Sequence, residues 1–432
     1  MSNAPLQAGE EPGVLLISNG HGEDLMAAQI ASLLRENLPG AGVIAMPLVG
    51  SGAAYTKRGF ELVGPTQVLP SGGFLRNSLK NLWMDLRAGL FSLTLRQIAA
   101  LRAAAPRARL VVCVGDVVLV LLAGLLARRP IVFLPTAKSD YIAPHEAFEV
   151  RLMRRFCTAV FPRDARTAAG LRAHGVNAIF LGNAMMDGLA TTGAGFGEAL
   201  DPAAMGDPID KGKAGALPSG GRAVTVGILP GSREEAYQNM RLIGEAAAAF
   251  AKLVEGRATF LVALAGGLNI ERLGEEMAGS RWRACELPRV GSPREAGPPG
   301  LAGCLEREGI RLWIYRDRFG DILEAAEIVL GLAGTANEQA VGFGKPVVTF
   351  VGTGPQFNAK FAATQKRLLG EALSVVEAGP EAVAREMAAI LGDPARYRRM
   401  QEAGRERMGG AGATGRIVSW LVGFLSPPSW PP

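Results

Sequence analysis

The stretch Gly331-Leu-Ala-Gly-Thr-Ala-Asn-Glu-Gln-Ala340 decides the fold, because it follows a short apolar strand and reads as a glycine turn that opens a helix. The N–H groups of Gly334, Thr335 and Ala336 would then lie at the positive end of that helix, where a diphosphate binds well. Glu338, one turn further, is placed to accept hydrogen bonds from ribose hydroxyls. The alternative is that Thr335 and Glu338 form a capping box that only starts the helix.

A second glycine turn, Leu229-Pro-Gly-Ser-Arg-Glu-Glu235, also follows an apolar strand. Open α/β sheets bind ligands at the carboxyl ends of their strands. Arg233 can pair with a phosphate through its fork of donors, and Gly231 and Ser232 lie beside it in the turn. The alternative is a helix start with Ser232 as N-cap and Glu235 at the third position. Two such turns at strand ends in one half of the chain favour ligand binding.

Around these turns the sequence alternates apolar strands with amphipathic helices, which predicts an α/β protein with parallel, doubly wound sheets. Residues 191–222 are rich in Gly, Ala and Pro without a period, which is typical of a linker. The linker separates an N-terminal domain, 1–190, from a C-terminal domain, 223–408, and 409–432 is predicted to hold a last helix and a tail. Arg283–Gly309 is predicted to be a loop insertion.

The first strand of the chain ends in Ser18-Asn-Gly-His-Gly-Glu-Asp24, which brings two glycines, an imidazole and two carboxylates into seven residues. Its candidate site residues are Gly20, His21, Gly22, Glu23 and Asp24. His21 has the side chain best suited to act as a general base near neutral pH. Asp24 either contacts substrate or only caps the first helix. The spacing is not G-x-G-x-x-G, because the sixth position from Gly20 is Leu25, so a dinucleotide site is disfavoured.

Asp116 is a further candidate acid, since it follows Gly115 at the end of the apolar strand Leu110–Val114. Gly115 and Asp116 interrupt the apolar stretch that continues to Ala127. A membrane-spanning helix needs about 20 uninterrupted apolar residues, so the stretch is predicted to be strand, turn and helix. The Asp116 carboxylate would then point into the same crevice as the first loop. A simple turn is the alternative.

The segment Phe74–Leu101 is predicted to be a helix, because leucines fall on one helical stripe. The stripe contains Leu75, Leu79, Leu82, Leu86, Leu90 and Leu93. Its charged residues are Arg76, Lys80, Arg87, Arg96 and the single acid Asp85, and its aromatic anchors include Trp83 and Phe91. Such a helix either lies on an anionic membrane or is a buried helix of the first domain.

The net charge of +6 suits a nucleotide diphosphate or an anionic membrane. No dense basic run and no nucleic-acid-binding motif is present, so we expect no nucleic-acid partner. The four cysteines form no C-x-x-C pair, which predicts idle or buried thiols in a reducing cytosol and no metal site. The N-terminus lacks the basic and apolar regions of a signal peptide, so we expect a cytoplasmic protein.

Three segments resemble the motifs of bacterial lipid-A-disaccharide synthase. They are LPGSR at Leu229–Arg233, AGTANEQA at Ala333–Ala340 and GNAMMDGL at Gly182–Leu189, and they follow the order of that family. The resemblance extends from about residue 13 to residue 425, and it is most specific in the C-terminal pair of motifs.

The resemblance implies a GT-B fold, with two Rossmann-like domains facing a central cleft and the last helix crossing back to the first domain. It also implies a UDP-sugar donor, inversion, no metal or other cofactor, and an acylated acceptor at the inner face of the membrane. By position in the motifs, Arg233, Gly334, Thr335 and Glu338 would hold UDP. Asn183, in the GNAMMDGL segment, becomes a substrate-binding candidate on the acceptor side.

The N-terminal half differs from the family, whose glutamate-alanine-serine-glycine-aspartate loop matches this chain only at Asp24. We therefore expect a related enzyme that transfers a sugar from UDP to a hydroxyl of a lipid-linked or amphipathic acceptor. Position in the family favours Asp116 as the base, chemistry favours His21, and Glu23 is the next candidate. The alternatives are a UDP-sugar 2-epimerase on the same fold and a non-catalytic protein that binds sugar nucleotides or lipids.

Overall fold

The computed structural model describes residues 13–66, 90–189, 191–193, 196, 223–286, 299–352, 357–376 and 379–426. The chain divides into two compact units. Unit 1 comprises Met1–Gly188 and Ala411–Pro432, and unit 2 comprises Leu189–Gly410. Most of the predicted linker, and the predicted helix Phe74–Leu101 up to residue 89, lie outside the described residues.

Unit 1 contains a parallel sheet whose six described strands lie in the order β3-β2-β1-β4-β5-β6. The strands are Val14–Ser18 (β1), Val43–Pro47 (β2), Glu61–Leu62 (β3), Leu110–Gly115 (β4), Ile131–Pro135 (β5) and Cys157–Val160 (β6). Every residue of β1, β4 and β5 is buried, which explains their continuous apolar sequences. The strand order reverses between β1 and β4, so the ends of these two strands flank the crevice where such sheets bind ligands.

Helices cover both faces of this sheet. They are His21–Asn37 (α1), Ala53–Thr56 (α2), Leu90–Ala104 (α3), Val117–Leu126 (α4), Ala147–Phe156 (α5) and Ala165–Ala173 (α6). Helices α1 and α2 pack on one face, and α3 to α6 pack on the other. Leu93 and Leu101 of α3 are 1% and 2% exposed, so the described end of the predicted Phe74–Leu101 helix contributes these two side chains to the interior.

Unit 2 contains a sheet of eight described strands in the order β14-β13-β12-β7-β8-β11-β10-β9. The strands are Val224–Leu229 (β7), Ala258–Ala263 (β8), Arg283–Ala284 (β9), Leu301–Arg307 (β10), Ile310–Tyr315 (β11), Ile328–Gly331 (β12), Val347–Phe350 (β13) and Leu373–Val376 (β14). The six strands from β14 to β11 are parallel, whereas β10 and β9 are antiparallel additions at one edge. The order reverses between β7 and β12.

The helices of unit 2 connect these strands and cover the sheet. They are Ala236–Leu253 (α7), Ile270–Ala278 (α8), Phe319–Ala325 (α9), Thr335–Gly342 (α10), Ala359–Leu369 (α11), Pro380–Gly392 (α12) and Pro394–Met408 (α13). Buried side chains of α7, α8, α11, α12 and α13 form one large core with β7, β8 and β12.

The prediction that Arg283–Gly309 is a loop insertion is wrong at both of its ends, the first of which, Arg283–Ala284, is strand β9. Leu301–Arg307 is strand β10, which pairs with β11 in an antiparallel hairpin. The two residues of the turn, Glu308 and Gly309, have φ of 53° and 80°. Two successive positive φ values are typical of the type I′ turns that close tight hairpins, and the Glu-Gly pair gave only a weak sequence signal for one.

The last helix, Ala413–Leu425 (α14), belongs to unit 1, which confirms the prediction that it crosses back to the first domain. Ile417 and Leu421 are buried beside the side chains of α1, and the Trp420 ring meets the Phe161 ring edge-on at 5.2 Å. The Arg416 Nε donates to the Leu181 carbonyl at 2.7 Å. Across the described parts of the chain, no helix is both long enough and apolar enough to span a bilayer.

The prediction of four idle thiols is wrong for two of the cysteines. Cys285 and Cys304 form a disulfide between the segment that follows β9 and strand β10, with their Cα atoms 5.4 Å apart. Antiparallel pairing of β9 with β10 brings the two residues together, and no spacing rule in the sequence signals it. Cys113 is a buried thiol and Cys157 is partly buried, and burial raises the pKa of Cys157 to about 12.

Candidate functional site

The two glycine turns of unit 2 lie side by side. Strands β7 and β12 are parallel neighbours, with Gly331 opposite Leu229 in register. Leu332 is the first residue after β12, and its N–H donates at 2.8 Å to the carbonyl of Leu229, the last residue of β7. Because the strand order reverses between β7 and β12, both turns flank the crevice of this sheet. Two segments about a hundred residues apart in sequence therefore form one loop pair.

Buried polar side chains hold the turn after β12 from below. The Gly331 carbonyl accepts from Thr349 Oγ1 at 2.6 Å and from Asn337 Nδ2 at 3.2 Å. The Gly334 carbonyl accepts from Gln365 Nε2 at 3.0 Å. With these carbonyls bonded to the interior, the turn is fixed against rotation. Gly331 is required here, because a Cβ at this position would lie 2.0 Å from the Asn337 Oδ1.

Helix α10 begins in this turn, with Gly334 as its N-cap and Thr335 as its first residue. No side chain in the described residues caps this N-terminus, so the capping-box alternative for Thr335 and Glu338 is wrong. Thr335 is exposed, and Gly334, Ala336 and Glu338 are half-buried. No side chain of the described residues thus caps the positive end of α10.

The turn after β7 is held in a similar way. Asn239, buried on α7, donates from Nδ2 to the Pro230 carbonyl at 3.2 Å. Gly231 has φ of +106°, a conformation that favours glycine. Ser232 and Arg233 are exposed. Helix α7 starts only at Ala236 and has no side-chain cap among the described residues, so the alternative of a Ser232 cap is also wrong.

The loop after β1 rests on a buried chain of hydroxyls and a carboxylate. Ser18 Oγ donates to Asp24 Oδ1 at 2.6 Å and lies 2.7 Å from the Tyr55 hydroxyl. Because the Ser18 proton points to Asp24, the Tyr55 hydroxyl is the donor of the second bond. Asp24 is 2% exposed and Tyr55 is fully buried. Asp24 therefore lies beneath the loop and supports it.

Burial raises the pKa of Asp24 to about 6, from an ordinary value of 3.8. The bond from Ser18 and the nearby His21 lower it again, but only in part. Burial likewise raises the pKa of the Tyr55 hydroxyl far above its usual range. Of the two titratable side chains beneath this loop, Asp24 and Tyr55, only Asp24 therefore changes its protonation close to neutral pH.

Glu23 and His21 lie at the exposed side of the same loop. Glu23 Oε1 accepts from the Thr136 hydroxyl at 2.9 Å, which joins the start of α1 to the end of β5. A Cβ at Gly20 would lie 2.2 Å from Glu23 Oε2, so glycine leaves room for that carboxylate. His21 is the exposed first residue of α1, and its ring lies next to Gly50. Gly22 beside it is exposed and has open space around its Cα.

Asp116 is the exposed N-cap of α4, and its side chain accepts from the Val118 N–H at 2.9 Å. It follows β4, which lies between β1 and β5 in the sheet. Strands lie about 4.8 Å apart, so the residues that follow β1 and β5 are separated by about 10 Å. The structure thus brings His21, Glu23 and Asp116 to one edge of the sheet, with Asp116 already acting as a cap.

Asn183 lines a small pocket at this edge. The pocket walls are Met26, Leu134, Pro135, Thr136, Phe161, Arg163, Gly182, Ala184, Met185 and Ile417. The Met185 N–H donates to Asn183 Oδ1 at 3.2 Å, which identifies the oxygen of the amide. The buried Nδ2 of Asn183 has no hydrogen-bond partner among the residues that the structure describes. Arg163, also buried, donates to the Thr136 carbonyl at 3.2 Å.

Comparison with known proteins gives a likeness in fold at low sequence identity. A candidate UDP-N-acetylglucosamine 2-epimerase of Listeria monocytogenes matches with a TM-score of 0.59 and 13% identity over 96% of both chains. The UDP-GlcNAc 2-epimerase of Neisseria meningitidis, bound to UDP-GlcNAc, gives 0.53 and 14% over 95% of this chain and 100% of that one. CalG4, the calicheamicin glycosyltransferase, gives 0.53 and 18% over 97% and 100%. No protein-family model and no curated protein sequence matches the chain.

These likenesses cover both units and, with the two sheets of parallel strands, show that the chain has the GT-B fold. This confirms the predicted fold class. At such low identity they establish the fold and not the reaction. The specific resemblance to lipid-A-disaccharide synthase stays a prediction.

Sequence reasoning missed the residues that support the loops from below. They are Tyr55, Thr136, Asn239, Asn337, Thr349 and Gln365. A usable signal existed only for the two asparagines, because each lies in the first turn or so of the helix that follows a glycine turn, where an asparagine has low helix propensity. The other four lie far from their partners in the chain.

Proposed function

We propose that the chain is a glycosyltransferase that moves a sugar from a UDP-sugar to a hydroxyl of a lipid-linked or amphipathic acceptor, with inversion and without a metal. The observation that carries the proposal is the loop pair of unit 2, in which two glycine turns meet at the reversal of the strand order. A loop of this kind accommodates a diphosphate because its backbone N–H groups and a helix N-terminus converge.

On the donor side, the N–H groups of Gly334, Thr335 and Ala336 bind the diphosphate at the start of α10. Gly231 and Ser232 let the second turn approach the phosphates, and the Arg233 guanidinium adds charge-assisted bonds. Glu338 accepts from the ribose hydroxyls. The buried amides of Asn239 and Asn337 keep both turns in place, so the donor site is formed before the ligand arrives.

On the acceptor side, a base at the edge of the unit 1 sheet takes the proton of the acceptor hydroxyl. The acceptor oxygen forms a bond to the anomeric carbon as the bond from that carbon to the diphosphate oxygen breaks, and the electron pair leaves with UDP. His21, Glu23 and Asp116 are the three candidates. Glu23 gains support from its bond to Thr136, which fixes its carboxylate, whereas Asp116 is engaged as a helix cap.

The pocket beside Asn183 is small, so it would hold only one small group of the acceptor. Its walls are mostly apolar, and the buried Asn183 Nδ2 offers a donor to a carbonyl or hydroxyl oxygen. An amphipathic acceptor satisfies both requirements. The predicted cytoplasmic location at the inner membrane face belongs to this proposal.

A UDP-sugar 2-epimerase is the second candidate. It is favoured by fold neighbours that carry this description, among them the two reported above, one of which is bound to UDP-GlcNAc. An epimerase would use the same loop pair for UDP and would need no acceptor. A protein that binds sugar nucleotides without turnover is the third possibility.

Incubation of the full chain with UDP-N-acetylglucosamine, with and without a bacterial lipid extract, separates the three. A transferase releases UDP only when the extract is present, and the sugar appears in the lipid fraction. An epimerase converts the UDP-sugar to its 2-epimer without the extract. Binding of UDP with neither product would contradict both enzymatic proposals.

A further inference from the structure

Helix α4 has an apolar outer side. Its sequence, VVLVLLAGLL, contains no polar side chain, although only its inner side packs on the sheet. On the outer side, Val118 is 52% exposed, Leu121 37% and Leu125 57%. These three residues fall on one stripe of the helix, at positions i, i+3 and i+7. A surface helix of a water-soluble domain normally places polar residues on such a stripe.

Helix α5 extends the apolar area. Its Phe156 lies against Gly124 of α4, where a Cβ would come within 2.5 Å of the Phe156 ring. Phe148, eight residues earlier on α5, is also exposed, at 55%. We call the exposed apolar side chains of these two neighbouring helices, Val118, Leu121, Leu125 and Phe148, the α4 face.

The helices around the α4 face are basic. Helices α3, α4 and α5 contain five arginines, at Arg96, Arg102, Arg151, Arg154 and Arg155. Their single acid, Glu149, is buried and bonded to Lys138 at 2.7 Å. The N-caps of α4 and α5, Asp116 and Glu146, are exposed acids, so the positive charge is concentrated toward the C-terminal ends of these helices. The Arg155 guanidinium lies 5.4 Å from the centre of the Phe156 ring, which places it at the border between α5 and α4. Arg128, exposed just after α4, adds a further positive charge.

We propose that the α4 face docks the chain on an anionic lipid bilayer, with the four apolar side chains in the interface and the arginines among the headgroup phosphates. An apolar centre with arginines along its C-terminal border matches such a bilayer in both respects. A second copy of the chain is disfavoured, because a twofold contact through this face would bring the same arginines opposite each other. The proposal rests on the membrane location in the proposed function and names the surface for it, but it needs no sugar chemistry, so docking and transfer can be tested separately.

The α4 face differs from the membrane surface predicted from the sequence. That prediction named Phe74–Leu101, of which the described part has Leu93 and Leu101 buried. The α4 face comes instead from the apolar stretch Leu110–Ala127, whose strand and helix the sequence predicts but whose outer side it does not reveal. The exposed fractions of Val118, Leu121 and Leu125 distinguish α4 from a helix that is buried on all sides.

Sedimentation of the full-length chain with vesicles tests the proposal. One set of vesicles contains phosphatidylcholine alone, and the other contains phosphatidylcholine with phosphatidylglycerol. We expect the chain to sediment with the anionic set and to lose binding as salt rises. The double variant Leu121→Ser and Leu125→Ser should bind about 10-fold less or weaker still. The matched control is Leu253→Ser. Leu253 is 52% exposed, which lies between the exposures of Leu121 and Leu125, but it is on α7 of unit 2.

A charge variant sharpens the result. Arg151→Glu with Arg155→Glu should remove binding to the anionic vesicles, while Leu253→Ser should bind as the wild type does. Thermal melts of each variant check folding, and calorimetric titration with UDP should give unchanged affinity, so a failure of the donor site is distinguishable from a failure of docking.

Three outcomes would overturn the proposal. The first is a wild-type chain that ignores anionic vesicles at low salt. The second is equal binding by the wild type and the Leu121→Ser and Leu125→Ser double variant. The third is a wild-type dimer in sedimentation velocity that this double variant converts to monomers, because the face would then bind a second copy.

Discussion

The loop after β1 in unit 1 and the loop pair after β7 and β12 in unit 2 lie at equivalent places in their sheets but rest on different chemistry. In unit 2, the neutral amides of Asn239 and Asn337 hold backbone carbonyls. In unit 1, the support is a carboxylate, Asp24, bonded to Ser18 and raised in pKa to about 6 by burial. The comparison indicates that the loop pair of unit 2 keeps its shape over a wide pH range, whereas the loop after β1 is sensitive to pH.

The largest expected effect is on turnover, and it distinguishes residues of unit 1 from the UDP-binding loop pair proposed for unit 2. Replacing the base in unit 1 should reduce turnover about 100-fold or more and leave UDP affinity unchanged. The variants are His21→Ala, Glu23→Gln and Asp116→Asn, each measured by steady-state kinetics and by UDP calorimetry. Thr136→Val is the matched variant for Glu23, because it removes only the hydroxyl that holds that carboxylate. Near-normal turnover in all three would show that the base lies elsewhere.

The converse effect is expected in unit 2. Glu338→Ala should weaken UDP binding by about 1–3 kcal/mol, because the ribose hydroxyls lose their hydrogen bonds to the charged Glu338 carboxylate. Calorimetry measures the affinity, and a thermal melt follows stability in parallel. An unchanged affinity with a lower melting temperature would mean that Glu338 supports α10 and does not bind ribose.

The amides that hold the turns of unit 2 carry no charge, so replacing one of them should lower stability by an amount that does not depend on pH. Asn337→Leu leaves Gln365 without one of its partners and removes one donor to the Gly331 carbonyl. We expect the free energy of unfolding to fall by about 1–3 kcal/mol, by the same amount at pH 5 and at pH 8. Urea denaturation at the two pH values measures it. A loss that appears at only one of them would contradict the neutral support of this turn.

The Asp24 carboxylate beneath the loop after β1 does titrate, so replacing it should change the free energy of unfolding by a small amount that depends on pH. Since the folded-state pKa of Asp24 is raised from 3.8 to about 6, its favourable contribution is fully present below about pH 4 and is lost as pH rises through 6. Asp24→Asn should therefore stabilise the chain at pH 7 by an amount on the order of 1 kcal/mol, and the gain should vanish near pH 4. Urea denaturation across this range checks it. A variant less stable than the wild type at pH 7 would contradict the assignment.

The sequence predicts the framework of both units well. Apolar runs such as Leu110–Val114 and Ile131–Leu134 are strands, since parallel strands covered on both sides must be apolar. The places of the loops follow from the same pattern, because glycine turns after such strands come to the carboxyl edge of the sheet. The hairpin of β10 and β11 and the Cys285–Cys304 disulfide were missed, because both depend on antiparallel pairing at a sheet edge.

What supports the loops could not be predicted from local patterns. Ser18 and Tyr55 are 37 residues apart, and Glu23 and Thr136 are 113 apart. Such partners meet only when the sheet has assembled. The local pattern suggested that Asp24 was a helix cap or a ligand, and it did not reveal that the carboxylate is buried and bonded to Ser18. Helix caps were also overestimated in the two turns of unit 2, where glycine and backbone geometry start the helices.

Hydrogen exchange of backbone amides with and without UDP tests the central claim most directly. The account predicts that UDP slows exchange in peptides covering Leu229–Glu235 and Gly331–Ala340, because the diphosphate accepts from their N–H groups. It predicts no comparable change in the loop Ser18–Asp24 with UDP alone. Slower exchange confined to Ser18–Asp24, or no UDP-dependent change in either turn of unit 2, would contradict the account.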